Sequence, residues 1–202
     1  MEFDVLIIGG GAAGLSCALV LGSGLSKSFS EGKKVAIFTH QRSSHLSSAL
    51  LNNVLGIAPG TSGKEILTSG TEQLQTLYPE VQQILKEKVF KITFLEDGFE
   101  VFTNKRSYTS QKVVLATGYA QPFQIEGLES FVIDHKKSKP SKERIQLKNE
   151  DHLVVQGLYV AGTLAGHRSQ YAIACGSGAA VATDILTEWN GGEHTKVHDK
   201  LK

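Results

Sequence analysis

Cysteine is scarce in this sequence, and neither sign of charge is in clear excess. The two cysteines among 202 residues, Cys17 and Cys175, lie far apart, form no Cys-x-x-Cys pair and fit neither a disulfide framework nor a metal cluster. Lys+Arg number 21 against 20 Asp+Glu, which leaves a formal net charge of +1. Without an overall field to attract nucleic acid or an anionic membrane, a small-molecule ligand is the better expectation.

Long apolar runs are also missing. No stretch of about 18 consecutive apolar residues occurs, and glycines interrupt the apolar start before it reaches the length of a signal sequence. We therefore expect no membrane association and a cytoplasmic location. The length fits one domain, which we expect over 1–190 with a tail over 191–202. No metal site is expected, because no metal-ligand spacing, Walker loop or serine–histidine–aspartate order is found.

The strongest motif is a glycine-rich turn near the N terminus. The apolar run Phe3–Ile8 predicts a strand, and residues 12–21 predict a helix. Gly9 and Gly11 lie between the strand and the helix, and Gly14 lies in the first turn of the helix. Together they have the spacing G-x-G-x-x-G. A strand, this turn and a helix in succession are typical of a dinucleotide-binding unit, whose helix N terminus holds a pyrophosphate.

The second strand of this unit, predicted over 34–39, does not end in the acidic residue that usually binds an adenosine ribose. Thr39, His40 and Gln41 stand there instead and can hydrogen-bond ribose hydroxyls. Arg42 can contact adenine or a phosphate, and it is equally compatible with the 2′-phosphate of NADP. This position alone therefore leaves the choice of nucleotide open.

The middle of the chain changes from a loop to a helix and then to strands. An irregular stretch over 40–63 precedes a helix predicted over 64–78, with Thr61 or Ser62 as its cap. Alternating apolar residues between 81 and 112, separated by turn residues, predict a β-meander.

The last part of the chain returns to the strand-and-helix pattern. Residues 112–116 predict a buried strand, and polar and basic residues dominate 119–152, which we expect to be a linker. A final strand and turn over 157–162 precede a small-residue helix over 171–188.

Four further segments stand in a fixed order after the N-terminal motif. They are Asn53-Val-Leu-Gly56, Val113-Val-Leu-Ala116-Thr117-Gly118, Gly157-Leu-Tyr-Val-Ala-Gly162-Thr163, and Gln170 followed by Cys175-Gly-Ser-Gly178. With the first motif they resemble the FAD domain of the thioredoxin-reductase-like pyridine nucleotide-disulphide oxidoreductases, over roughly 1–118 and 153–190. The resemblance implies an α/β fold, namely a Rossmann-like FAD-binding domain. A β-meander, a parallel sheet and helices would form its three layers, in a ββα arrangement.

The resemblance implies FAD as the cofactor and gives roles to the start of the last helix. There the backbone N–H groups of Tyr171 and Ala172 and the side chain of Gln170 would face the flavin ring. The expected cofactor-binding residues are Gly9, Gly11, Ala12, Ala13, Gly14, Thr39, His40, Arg42, Asn53, Val89, Ala116, Thr117, Gly118, Gly162, Thr163, Gln170, Tyr171 and Ala172.

His167, Arg168 and Cys175 are the candidates for a catalytic role. The histidine and arginine precede the last helix and could donate to the flavin or meet an anionic substrate, although a solvated loop is an equal alternative. For Cys175 the alternative is packing among small residues. His45 and Tyr119 could also approach the cofactor, with an exposed loop and an ordinary core or surface tyrosine as their alternatives.

Two departures from the family limit what the resemblance implies. In the family an NADPH domain with its own glycine motif and a Cys-x-x-Cys pair separates the Ala-Thr-Gly segment from the next one, whereas here about forty residues intervene. Thr163 also replaces the family aspartate that hydrogen-bonds the ribitol of FAD, so a charge-assisted contact is lost.

We expect an FAD-dependent oxidoreductase or electron-transfer protein whose electron donor is external, either a separate reductase or NAD(P)H. Its acceptor, a small molecule or a protein, stays open, and a homodimer is implied by the resemblance only. A non-catalytic FAD-binding module that stabilises or signals to a partner is the alternative. An NAD-binding dehydrogenase is less favoured, because it would leave the later glycine segments without a purpose.

Overall fold

The computed structural model of the protein describes residues 1–39, 44–119 and 123–198. Within these ranges the α-helices are α1 Ala12–Gly24, α2 Gly63–Leu77 and α3 Tyr171–Trp189. The strands are β1 Phe3–Ile8, β2 Val35–Phe38, β3 Leu50–Leu51, β4 Thr61–Ser62, β5 Gln82–Ile84, β6 Val89–Leu95, β7 Gly98–Thr103, β8 Ser107–Leu115, β9 Val132–Asp134, β10 Ile145–Leu147, β11 Leu153–Val155 and β12 Leu158–Val160. None of these helices is both long and apolar enough to cross a bilayer.

The central sheet is parallel, with the strand order β12-β8-β1-β2-β5 and β11 added antiparallel at one edge. β1, β2, β12 and the end of β8 are mainly apolar because both faces of the sheet are covered there. Ile8 of β1 pairs with Phe38 of β2 on one side and with Leu115 of β8 on the other, and Leu115 pairs with Val160 of β12. The carboxyl ends of four neighbouring strands therefore lie in line.

One long strand joins the parallel sheet to the meander. The first half of β8 pairs antiparallel with β7, which pairs with β6, while its second half pairs parallel with β1 and β12. We predicted the strand over 112–116 separately from the meander, whereas the structure makes it the end of the meander's third strand. Ser110 lies fully buried where the two halves meet, and its Oγ donates to the carbonyl of Lys112 at 2.7 Å.

Alternate residues of β1 enter two different apolar layers. Val5 and Ile7 pack with the three helices, while Leu6 and Ile8 pack with the meander and the segment after it. The helices, the parallel sheet and the meander thus form three layers. The expected α/β, Rossmann-like arrangement is confirmed.

The segment 123–152 differs from the linker that we expected. Its strands β9 and β10 pair as an antiparallel hairpin, and Leu128, Ile145 and Leu147 are almost fully buried in the meander-side core. Charged residues are frequent in this segment, with six basic and six acidic side chains, but a few apolar side chains at its two ends are enough to anchor it.

Candidate functional site

A cleft of about 560 Å³ lies along the carboxyl ends of the parallel strands. It is bordered by the turns after β1, β8 and β12, by the N termini of α1 and α3, and by parts of the loops on either side. Open α/β sheets bind ligands at this edge, and the volume is in the range of small-molecule and cofactor sites.

The three turns that border the cleft depend on glycine. Gly9, Gly118 and Gly162 have φ values of 114°, 85° and 72°, which lie in the left-handed region that other residues rarely adopt. The turns after β1 and β8 are also in direct contact, since a Cβ on Gly9 would lie 2.6 Å from the carbonyl oxygen of Ala116. The backbone alone thus brings the predicted glycine segments together.

Two helices present uncapped N termini at the cleft. Gly11 is the N-cap of α1 and Gln170 that of α3, and among the described residues no side chain caps either helix. By contrast, α2 has a complete capping box in which Ser62 Oγ accepts from the Glu65 N–H at 3.2 Å. The open termini offer free N–H groups and the positive ends of their dipoles, a combination that binds anions.

Glycines also allow α1 to approach its neighbours closely. A Cβ on Gly14 would overlap the carbonyl oxygen of Gly9, and one on Gly178 of α3 would overlap that of Ala13. At Gly11, however, a Cβ would meet nothing nearer than Ser44 Oγ at 3.8 Å. A larger side chain at Gly11 would therefore extend into the cleft rather than into the protein.

Most of the residues expected to bind the cofactor line this cleft. Those that do are Gly9, Gly11, Ala12, Ala13, Asn53, Val89, Ala116, Thr117, Gly118, Gly162, Thr163, Gln170 and Tyr171. Gly14, Thr39 and Ala172 are described but do not line it. His40 and Arg42 lie outside the described residues.

The three candidates for catalysis do not line the cleft. His167 instead packs against His152, with their Nε2 atoms 3.0 Å apart, and Arg168 is exposed in the same loop. Burial raises the pKa of the Cys175 thiol, which contacts the hydroxyl of Tyr171. A raised pKa keeps this thiol protonated at neutral pH, which does not favour a nucleophilic role.

A hydrogen-bonded chain connects the histidine pair to the edge of the cleft. His152 Nε2 lies 3.0 Å from Ser177 Oγ, and this hydroxyl accepts the backbone N–H of Gly162 at 2.8 Å. Burial lowers the pKa of both His152 and His167, so the pair is uncharged at neutral pH. The histidines therefore support the turn at Gly162 from behind.

A polar group that no sequence motif predicts borders the cleft near the start of β6. Glu87 is buried and accepts hydrogen bonds from Thr103 Oγ1 at 2.8 Å and from the Tyr108 hydroxyl at 3.0 Å. Next to it, Lys88 Nζ donates to Gln124 at 2.7 Å. These residues follow a short strand and belong to no motif, so the sequence contained no signal for their position.

Tyr119 connects the cleft to the segment 123–152. Its ring lines the cleft and lies 5.6 Å, between ring centroids, from both His45 and His135. The Arg144 guanidinium lies 4.2 Å from the centre of the tyrosine ring. His135 Nε2 is also 3.1 Å from the carbonyl oxygen of Thr163, a cleft residue.

Comparison with known proteins finds relatives that are named ferredoxin–NADP reductases. The chain is 30% identical over 199 residues to ferredoxin–NADP reductase 1 of Bacillus licheniformis, covering 83% of this chain and 54% of that protein. It is 29% identical over 140 residues to ferredoxin–NADP reductase 1 of Listeria welshimeri, covering 65% of this chain and 39% of the relative. The chain thus spans about half the length of such relatives, or less.

Solved structures share the fold at low sequence identity. A thioredoxin reductase from Gloeobacter violaceus superimposes with a TM-score of 0.71 at 16% identity, covering 99% of this chain and 98% of the other. A ferredoxin-flavin thioredoxin reductase from Clostridium acetobutylicum gives 0.68 at 18% identity, covering 94% and 98%. The model of the family described as pyridine nucleotide-disulphide oxidoreductase matches residues 3–180. The chain therefore belongs to the pyridine nucleotide-disulphide oxidoreductases, a family of FAD-dependent enzymes.

Proposed function

We propose that this chain is an FAD-dependent oxidoreductase or electron-transfer protein that binds FAD in the cleft and receives electrons from an external donor. The observation that carries the proposal is the convergence of three strand-end turns and two uncapped helix N termini on one cleft. A long ligand with a central pyrophosphate and a second polar ring system matches this arrangement, because each helix terminus favours negative charge.

The adenosine half of FAD would lie near β1 and β2. The N–H groups at Ala12 and Ala13, at the start of α1, would hold the pyrophosphate. Thr39 follows β2, and its Oγ1 is buried with no hydrogen-bond partner among the described residues. A buried hydroxyl without a partner is costly, and although Thr39 does not line the cleft, a ribose bound at the end of β2 would satisfy it.

The flavin half would lie near β12 and α3. Gly162 and Thr163 border this end of the cleft, and Gln170 and Tyr171 begin the helix that faces it. FAD supplies the chemistry of electron storage, while the protein supplies orientation and nearby charge. The open N terminus of α3 favours negative charge at this position, and the Thr163 hydroxyl is available for one hydrogen bond.

The proposal places the electron donor outside residues 1–190, which we propose form one domain. Between Gly118 and Gly157 the chain has no second glycine fingerprint and no Cys-x-x-Cys pair. The relatives named above are called ferredoxin–NADP reductases, which favours a nicotinamide nucleotide or a redox protein as the donor.

Substitution of Gly11 tests the location of the cofactor. Gly11→Glu would place a carboxylate in the cleft without a clash in the protein, so we expect FAD affinity to fall about 100-fold or more, about 2.7 kcal/mol. Gly176→Glu is the matched control, because this glycine is exposed on α3 with nothing within 4 Å of its Cβ position. FAD titration by fluorescence measures the affinities, and thermal unfolding of the apoproteins checks the fold.

Equal FAD affinity for Gly11→Glu and Gly176→Glu would place the cofactor elsewhere. Reduction of the bound flavin, followed by its absorbance, then tests electron transfer with NADH, NADPH or a separate reductase as the donor. If dithionite reduces the flavin but none of these donors does, the redox role is wrong and an FAD-binding module remains.

A further inference from the structure

A patch of unpaired positive charge lies on the loop between β9 and β10. We call Lys136, Lys137, Lys139, Lys142 and Arg144 the basic ridge. Its four lysines are exposed, and within the described part of the chain none of the five side chains forms a salt bridge. The same stretch also contains Asp134 and Glu143, so residues 134–144 have five basic and two acidic side chains, a net charge of +3 in a chain whose total is +1.

The backbone of the ridge is fixed to the protein rather than free in solvent. His135 and Arg144, at the two ends of the loop, are joined by a hydrogen bond from the histidine N–H to the arginine carbonyl at 2.9 Å. The N–H of Lys136 donates to Oε1 of the buried Gln146, also at 2.9 Å. A solvated linker would have neither anchor, so the position of these cations relative to the sheet is defined.

The ridge also reaches the flavin end of the cleft. Arg144 lies against Tyr119 and His135 contacts Thr163, and both partners line the cleft. Lys137 also lies near the loop before α3. The pKa of His167 in that loop is lowered by burial, by the neighbouring His152 and by the charge of Lys137. The positive charge therefore extends along the rim where FAD would exchange electrons.

We propose that the basic ridge docks a small acidic electron-carrier protein. This inference rests on the proposed function, since the carrier would exchange electrons with FAD at the adjacent rim. Two reduced one-electron carriers would deliver two electrons, which with two protons from water convert FAD to FADH₂ and leave two oxidised carriers. Several exposed cations spread along a loop match the broad surface of a protein, and such rim charges act chiefly by accelerating association.

Charge reversal on the ridge tests the docking surface. The FAD-loaded protein is mixed with a reduced acidic [2Fe–2S] ferredoxin as the probe, and flavin reduction is followed by stopped-flow absorbance. We expect the triple variant Lys136→Glu, Lys137→Glu and Lys142→Glu to lower the second-order rate about tenfold or more at low ionic strength. The difference from wild type should shrink at about 0.5 M salt, because the charges are then screened.

The matched control reverses the charge of three exposed lysines at the opposite edge of the sheet. One follows α1, one precedes β2 and one follows α3. The control variant carries Lys27→Glu, Lys34→Glu and Lys196→Glu, which change the net charge by the same amount. We expect this variant to stay within about twofold of wild type. Titration calorimetry with oxidised ferredoxin gives a second readout that does not depend on flavin reduction.

Equal rates and equal ferredoxin affinities for the two triple variants would overturn the docking proposal. They would leave the proposed function unaffected. If the ridge variant instead loses only reduction by NADPH, or only binding to anionic lipid vesicles, the ridge serves a nucleotide or a membrane and the inference is wrong. A protein that binds no FAD would overturn the proposed function itself, and the two failures are therefore distinguishable.

Discussion

At the scale of single residues, two neighbouring glycines of α3 have opposite surroundings. A Cβ on Gly178 would overlap the carbonyl oxygen of Ala13 in α1, whereas one on Gly176 would meet nothing within 4 Å. Gly178→Ala should therefore force α1 and α3 apart and lower the free energy of unfolding by about 1–3 kcal/mol. Gly176→Ala should raise it by about 0.5–1 kcal/mol, since alanine is the better helix former.

Urea denaturation of the two alanine variants measures this difference. Because the substitution is the same in both, its effect on helix propensity is shared, and only the contact with α1 differs. Similar stabilities for the two variants would mean that the helices can separate without cost, and that the close contact beneath the cleft does not constrain the fold.

Residues whose backbone geometry is special could be predicted from sequence, while those placed by distant contacts could not. Gly9 and Gly162 are recognisable because a left-handed φ or a close approach allows only glycine, which is a local requirement. Glu87 is held at the cleft by hydrogen bonds from Thr103 and Tyr108, which follow 16 and 21 residues later in the meander. Tyr119 was noted, but its contacts with His135 and Arg144 depend on a segment that we predicted to be a linker.

At the scale of elements, the hairpin of β9 and β10 should behave as part of the core. Leu147 is fully buried among residues of the meander-side core, so Leu147→Ala should lower the free energy of unfolding by about 2–4 kcal/mol. Leu153→Ala, on β11 where the residue is 36% exposed, should lower it by no more than about 1 kcal/mol. Urea denaturation measures both values.

The hairpin would be a dispensable attachment if Leu147→Ala cost no more than Leu153→Ala. A cooperative loss of stability, with a single transition by fluorescence and circular dichroism, would instead show that 123–152 folds with the sheet. This outcome matters for the cleft, because the same segment holds His135 and Arg144 against Tyr119.

Long periodic elements could be predicted from sequence, while short or polar ones could not. α2 and the meander have clear periods and α1 follows the glycine motif, and their predicted ends agree with the structure to within a few residues. The hairpin strands have only three residues each, too few for a pattern to emerge from basic surroundings. We predicted β8 as two separate strands because polar residues interrupt its apolar pattern. One of these polar residues, Lys112, is buried in the structure, where it forms a salt bridge with Glu188 at 2.7 Å.

At the scale of the whole molecule, the half-buried pair His152 and His167 should make stability depend on pH. Burial lowers the pKa of His152 and His167 below the ordinary value of 6.5, so the unfolded chain binds protons that the folded protein does not. The free energy of unfolding should therefore fall as the pH decreases through about 6.5. The raised pKa of Asp184, caused by its burial, has the opposite sign and opposes this loss in more acidic solution.

Urea denaturation between pH 7.5 and 5.5 tests the histidine contribution. The double variant His152→Gln and His167→Gln removes both titrations while keeping polar groups near Ser177, so its stability should vary less with pH than that of the wild type. His194→Gln, at an exposed position near the C terminus, should leave the wild-type slope unchanged. Because Ser177 accepts the N–H of Gly162, protonation of the pair should also loosen the end of the cleft beside α3. A wild-type slope in the double variant would mean that other groups control acid stability and that the histidine pair does not hold this turn in place.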